Sequence, residues 1–200
     1  MVRRIFLIAA ATIGMVATPL AAQMSESPSL KFLKAIRERD GNTATELVTA
    51  QGKAVLNARD DRGDGAIHIV AARRDAQYLR FLAGNGADVD LPNFKGDTAL
   101  IIAARLGFDD GVETLLRAGA QVDKTNRAGE TPLIVAVQQR QMATIKLLAE
   151  HGANPDKTDN ATGRSARDYA KRDARGPEMI KLMDAARTAR PKAEVAGPKF

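Results

Sequence analysis

"GETPLIVAVQQRQMATIKLLAEHGA", residues 129–153, decides how this chain folds. Thr131 stands where a helix N-cap belongs, and Pro132 suits the first helical position, whose N–H needs no partner. Leu133 begins one short apolar run, and Ile145 and Leu148 belong to a second at helical spacing. Gly152 then closes the second helix in the left-handed conformation that glycine accepts most easily. A helical pair this small cannot bury its own apolar face, so the pattern predicts neighbours that stack on it.

The neighbours are in the sequence. Residues 62–93, "RGDGAIHIVAARRDAQYLRFLAGNGADVDLPN", 95–126, "KGDTALIIAARLGFDDGVETLLRAGAQVDKTN", and 128–159, "AGETPLIVAVQQRQMATIKLLAEHGANPDKTD", align without a gap. Gly63, Gly96 and Gly129 keep a step of 33 residues, as do Gly86, Gly119 and Gly152. The apolar positions keep it too: Ile67, Leu100 and Leu133; Leu79, Val112 and Ile145; Leu82, Leu115 and Leu148. A fixed period of this length is the signature of a solenoid. Turns carrying Asn or Asp with Gly, "DLPNFKG" and "DKTNRAG", join successive units.

The Thr-Pro-Leu start, the apolar second helix and the Gly-Ala exit of residues 129–153 resemble the ankyrin repeat. The resemblance is strong over 63–156 and weaker on both sides. It implies an all-α solenoid of stacked helix-turn-helix units with β-hairpin-like loops. Residues 23–60 supply an N-terminal capping repeat of two helices, with Leu30, Leu33, Ile36, Leu47 and Val48 covering that end. Three well-formed repeats fill 61–158. After Asn154 the pattern slips by one residue, and 159–187 form a C-terminal capping repeat. In it Ser165 caps the first helix, Ala170 points inward, and Met179 and Leu182 lie on the second. Residues 23–187 thus make about five units including both caps, an array expected to act as a monomer.

Composition fits. Aromatics are only 4%, tryptophan is absent, and alanine is abundant, which favours closely packed helices. The N-terminus stands apart: Arg3 and Arg4 precede an apolar run from Ile5 to Ala17, followed by Thr18-Pro19-Leu20-Ala21-Ala22. This reads as a secretory signal peptide cleaved after Ala22, by the general rather than the twin-arginine route. The run is too short to span a membrane, so a periplasmic or secreted product without stable membrane insertion is expected. With no cysteine in the chain, stability rests on packing alone. The body from 23 to 187 holds 25 basic against 23 acidic residues, a balance that excludes nucleic acid as the default partner. The tail 188–200, with Pro191 and Pro198 and three basic residues against one acid, is expected to be disordered.

Candidate chemistry is sparse. His68 is matched by Ile101 and Ile134 one and two units on, and no cysteine or paired carboxylate stands at ligand spacing. The resemblance places it fourth in the Thr-Pro-Leu-His start, where the imidazole is structural. Nucleophile elbows, phosphate loops and dinucleotide fingerprints are missing. "DDRGDG" at 60–65 lacks the closing positions of a calcium loop, and its acids belong to a hairpin turn. No enzyme activity, cofactor or metal is expected.

The resemblance points instead to binding, since hairpin tips and first helices of ankyrin-like arrays line one concave surface. Carried over by position, the tips are Arg59, Asp61 and Arg62; Leu91, Phe94 and Lys95; Lys124 and Arg127; and Lys157. The first-helix positions are Ile69, Ala72 and Arg73; Ile102, Arg105 and Leu106; Val135, Gln138 and Gln139; and Tyr169 and Arg172. Ile69, Ile102, Leu106 and Phe94 would form an apolar strip bordered by basic residues, matched to a protein partner with an acidic surface. Alternatively, Ile69 or Ile102 packs between neighbouring repeats and the tip charges only solvate the surface. On the binding reading, charge reversal at Arg73 and Arg105 weakens binding and leaves thermal stability intact. Two further roles remain open on the resemblance: an accessory of a periplasmic stress-defence enzyme, or a secreted effector acting on a host protein.

Overall fold

A computed structural model describes residues 27–188. The expected signal segment and nearly all of the basic tail lie outside the described residues. Eleven helices follow one another among them: α1 (Pro28–Glu38), α2 (Gly41–Gln51), α3 (Lys53–Leu56), α4 (Ala66–Ala72), α5 (Ala76–Gly84), α6 (Ala99–Leu106), α7 (Asp109–Arg117), α8 (Pro132–Gln138), α9 (Met142–Glu150), α10 (Ala166–Ala170) and α11 (Gly176–Thr188). Two layers result. Helices α1, α4, α6, α8 and α10 pack side by side as an inner row, while α5, α7, α9 and α11 form an outer row behind them. The one departure from two helices per unit is at Gly52, whose φ of 59° and ψ of −139° split α2 from α3.

Each inner helix starts where the sequence offers a cap. Thr98, Thr131 and Ser165 accept hydrogen bonds from the N–H groups of Ile101, Ile134 and Asp168. The first four inner helices end in a left-handed residue: Arg39, Arg74, Gly107 and Arg140, with φ between 57° and 61°. That conformation costs a non-glycine residue ~1–2 kcal/mol. Two of the arginines gain a partner in the next unit there. The Arg74 guanidinium donates to the carbonyl of Leu106, and Arg140 Nε donates to Asp173 at 2.7 Å.

The core repeats as the sequence does. Ile67, Leu100, Leu133, Leu79, Val112, Ile145, Leu82, Leu115 and Leu148 are all buried, and alanines at 66, 71, 99, 103, 104 and 136 let the inner helices approach closely. At the N-terminal end Phe32, Leu33, Ala35 and Ile36 are buried, but Leu30 is 52% exposed and covers nothing. With 3.6 residues per turn, the face centred on those four lies about 140° from Leu30. At the other end Ala170, Met179 and Met183 are buried and Leu182 only partly.

A ladder at the hairpin tips ties the units together. Phe94 donates to the carbonyl of Arg62, Arg127 to that of Lys95, and Asn160 to that of Ala128, at 2.8–3.2 Å. Gly96 shows why glycine follows the accepting residue of each rung: its φ is 80°, and a Cβ there would lie 2.6 Å from the Arg127 backbone nitrogen. Asp60, Asn93 and Asn126 each brace a tip by accepting from the N–H groups two and four residues on. In the last tip Asp159 accepts from Thr162 and Gly163, and its own N–H reaches the carbonyl of Arg164 instead of a residue four on. The one-residue slip therefore sits in the tip between Asp159 and Ser165.

Candidate protein-binding groove

The tips and the inner row face each other across a groove. Its N-terminal half is a trough of about 690 Å³ between α1, the first tip, α4 and α6, lined by Leu30, Arg62, Ile69, Ala72, Arg73 and Ile102 among others. It runs on into a second hollow of about 540 Å³ that shares Arg62, Ala72 and Ile102 and adds Phe94, Lys95, Arg105 and Leu106. Ile69, Ile102 and Leu106 are half-buried, leaning on the core with one face and lining the groove with the other, Leu106 in the second hollow. Phe94 is 53% exposed. Its ring lies against Gly63, where a Cβ would meet it at 2.6 Å, so the glycine seats the aromatic.

The basic residues divide into two groups. Arg59, Arg62, Lys95 and Arg127 stand exposed on the tips, and Lys124 is half-buried beside them. Arg73 and Arg105 are not free charges. The Arg73 guanidinium donates to the carbonyl of Ile36, lies 3.3 Å from the Asp75 carboxylate, and sits 4.7 Å from the centre of the Tyr78 ring. Arg105 forms a two-pronged pair with Asp97 at 3.0 and 3.2 Å, and Asp97 also accepts from the Asn126 side chain. The expectation that both could be reversed without loss of stability is therefore corrected: each is built into the array.

Three other positions differ from expectation. Val135 is buried, because the inner face of α8 is covered along its whole length up to Val137. Leu91 is buried beneath the first tip, with a methyl 2.8 Å from where a Gly65 Cβ would stand, so the missing side chain at Gly65 makes its room. Tyr169 donates its hydroxyl to Asp159 at 2.6 Å and is half-buried. Burial alone would push the Asp159 carboxyl upward, but that bond and those from Thr162 and Gly163 hold it below the usual carboxylate range. Gln138 and Gln139 remain exposed, so the C-terminal half of the groove is polar where the N-terminal half is apolar.

His68 lies under the trough floor. Its Nδ1 accepts from the Gly65 N–H at 3.0 Å, which leaves Nε2 as donor to the Asp97 carbonyl at 3.1 Å. The ring is neutral and satisfies the N–H of Gly65, the half of a capping box that runs back from the third helical residue. No group of three or more His, Asp or Glu side chains gathers at metal-ligand spacing among the described residues. No helix there is long and apolar enough to cross a membrane.

The family model for ankyrin repeats in three copies matches residues 32–126, and that for a single ankyrin repeat matches 128–160. The chain belongs to the ankyrin-repeat family. Its first match begins inside α1, so the N-terminal unit of this ankyrin array is itself a family repeat. Ankyrin repeats are in general non-enzymatic protein-interaction modules. No curated protein matches the chain.

Leu30 is the groove residue that the sequence pattern hides. Its spacing to Leu33 suggests the core, and only adding Phe32 and Ala35 to the wheel turns it outward.

Proposed function

We propose that this ankyrin array is an exported, non-enzymatic interaction module that binds another protein along its groove. One observation carries the reading. The two large hydrophobic side chains exposed among the described residues both border the groove, Leu30 in the trough and Phe94 in the hollow that continues it. Exposed apolar surface gathered in one concavity marks an interaction site, whereas the same residues scattered would need no explanation. Basic tips beside it favour an acidic partner surface.

Site-specific photocrosslinking in the native cell tests the binding. A photoreactive residue at Ala72, in the trough, should trap a discrete protein adduct, and one at Lys146, exposed on the outer helix α9, should not. Equal adducts at both sites, or none at Ala72, reject the groove. Export rests on residues 1–22 and is tested by sequencing the mature N-terminus, expected at Gln23 in a periplasmic or secreted fraction. An intact Met1 in the cytoplasm refutes it.

A further inference from the structure

The trough is charged along one edge only, and this specifies its occupant more narrowly than "acidic protein". On the inner-helix wall, Arg73 and Arg105 are neutralised by Asp75 and Asp97. On the tip wall Arg62, Lys95 and Arg127 are exposed and make no ion pair among the described residues. Of the acids lining that wall, Asp60 is paired with Arg37, and Asp61 and Asp64 face Arg62 and Lys95 in the lining with Arg59 and Arg127 beside them on the same row of tips. Between the walls the floor is apolar, from Leu30 through Ile69 and Ala72 to Ile102 and Leu106. Phe94 stands where floor meets charged edge, already fixed over Gly63, so little side-chain freedom is lost when it is covered.

Resting on the groove reading above, we propose that this half of the groove takes a partner segment apolar along its centre and acidic along one edge. The acids face Arg62 and Lys95, and Phe94 is the apolar anchor. Residues 189–200 carry the wrong charge to fill it, with Arg190, Lys192 and Lys199 against Glu194. Residues 23–26, which the proposed cleavage leaves ahead of the array, are too few to run along the floor. The occupant is accordingly assigned to another protein.

The floor crosses α1, α4 and α6, two helix spacings or about 20 Å. A random display library of peptides of about 16 residues covers that span as helix or strand. Selected against the full chain, it should yield peptides combining apolar residues with Asp or Glu. Their binding should weaken about tenfold or more in the Arg62→Glu/Lys95→Glu double variant and in Phe94→Ala. It should also fall with added salt and stay unchanged in Gln138→Ala/Gln139→Ala. Melting curves confirm that each variant is folded. Peptides without acids, or binding that survives the first two variants and falls with the glutamine pair, overturn this inference but leave the groove reading standing. Failure to select any peptide, or binding indifferent to all these substitutions, overturns both.

Discussion

Two arginines of one repeat, Arg62 and Arg73, show how a residue's surroundings decide what its charge can do. Arg73 is held by the Ile36 carbonyl, Asp75 and the Tyr78 ring, while its Nε finds no hydrogen-bond partner. Its truncation to Ala removes the bond to α1, the ion pair and the ring contact together, and should cost about 1–3 kcal/mol in chemical denaturation. Arg62→Glu, at an exposed tip, should stay within about 0.5 kcal/mol. Equal losses for the two would show that Arg73 is not a structural brace. The sequence could not separate them, because the carbonyl that holds Arg73 belongs to Ile36 of α1, and no local pattern reports so distant a partner. His68 was more legible, since its aliphatic counterparts Ile101 and Ile134 already argued for a structural ring. Burial is the largest influence on it and lowers its pKa from 6.5, against smaller opposing pulls led by Asp64. The folded state thus binds the proton more weakly than the unfolded chain. The stability this gives is full above the unfolded value of 6.5 and is lost as pH falls through the lower folded one. Melting temperature should therefore drop between pH 7 and pH 5. In His68→Ile the drop should be smaller, from a start about 1–3 kcal/mol less stable because two hydrogen bonds are gone. An unchanged pH slope would mean the ring is not the titrating group.

Among elements, the helices were readable because period, caps and left-handed glycines all agree, and the tips were readable only as turns. What glycine does in a tip depends on the backbone of the next unit, which lies about a full period away in sequence. Gly96 and Gly119 isolate that contribution. Both have positive φ, 80° and 92°, but a Cβ at Gly96 meets the Arg127 nitrogen while one at Gly119 meets nothing within 4 Å. Gly119→Ala should cost only the left-handed conformation, ~1–2 kcal/mol. Gly96→Ala should cost clearly more, and equal melting temperatures would deny the tip ladder its role. The break between α2 and α3 escaped notice for a related reason: Gly52 interrupts a stretch whose composition still favours helix.

At the scale of the whole molecule, each unit touches only its neighbours, so ends matter more than length. Helices α10 and α11 cover α8 and α9 at the C-terminal end. A chain stopped after Lys157 uncovers them and should lose its cooperative melt at 37 °C or melt far lower by circular dichroism. A chain stopped after Thr188 should melt like the full chain. The partner segment was the least legible feature of all, since it depends on which charges the fold neutralises. The repeat placed Ile69, Ile102 and Phe94 in the groove, but only the structure separates the bare cations of the tips from the quenched ones of the wall.

The extra residue between Asp159 and Ser165 sets where this array can grow. From Asp60 to Asn126 every tip is braced from the same position, by Asp or Asn, and has the same loop length, so gene duplication of residues 95–127 would splice in a unit whose rungs meet both neighbours in register. A copy added after Asp159 would meet a loop one residue too long and an aspartate already claimed by Tyr169. Such a chain can lengthen through its middle and not at its C-terminal end. Each inserted copy would extend the stretch beyond the trough and leave Leu30 and Phe94 where they are.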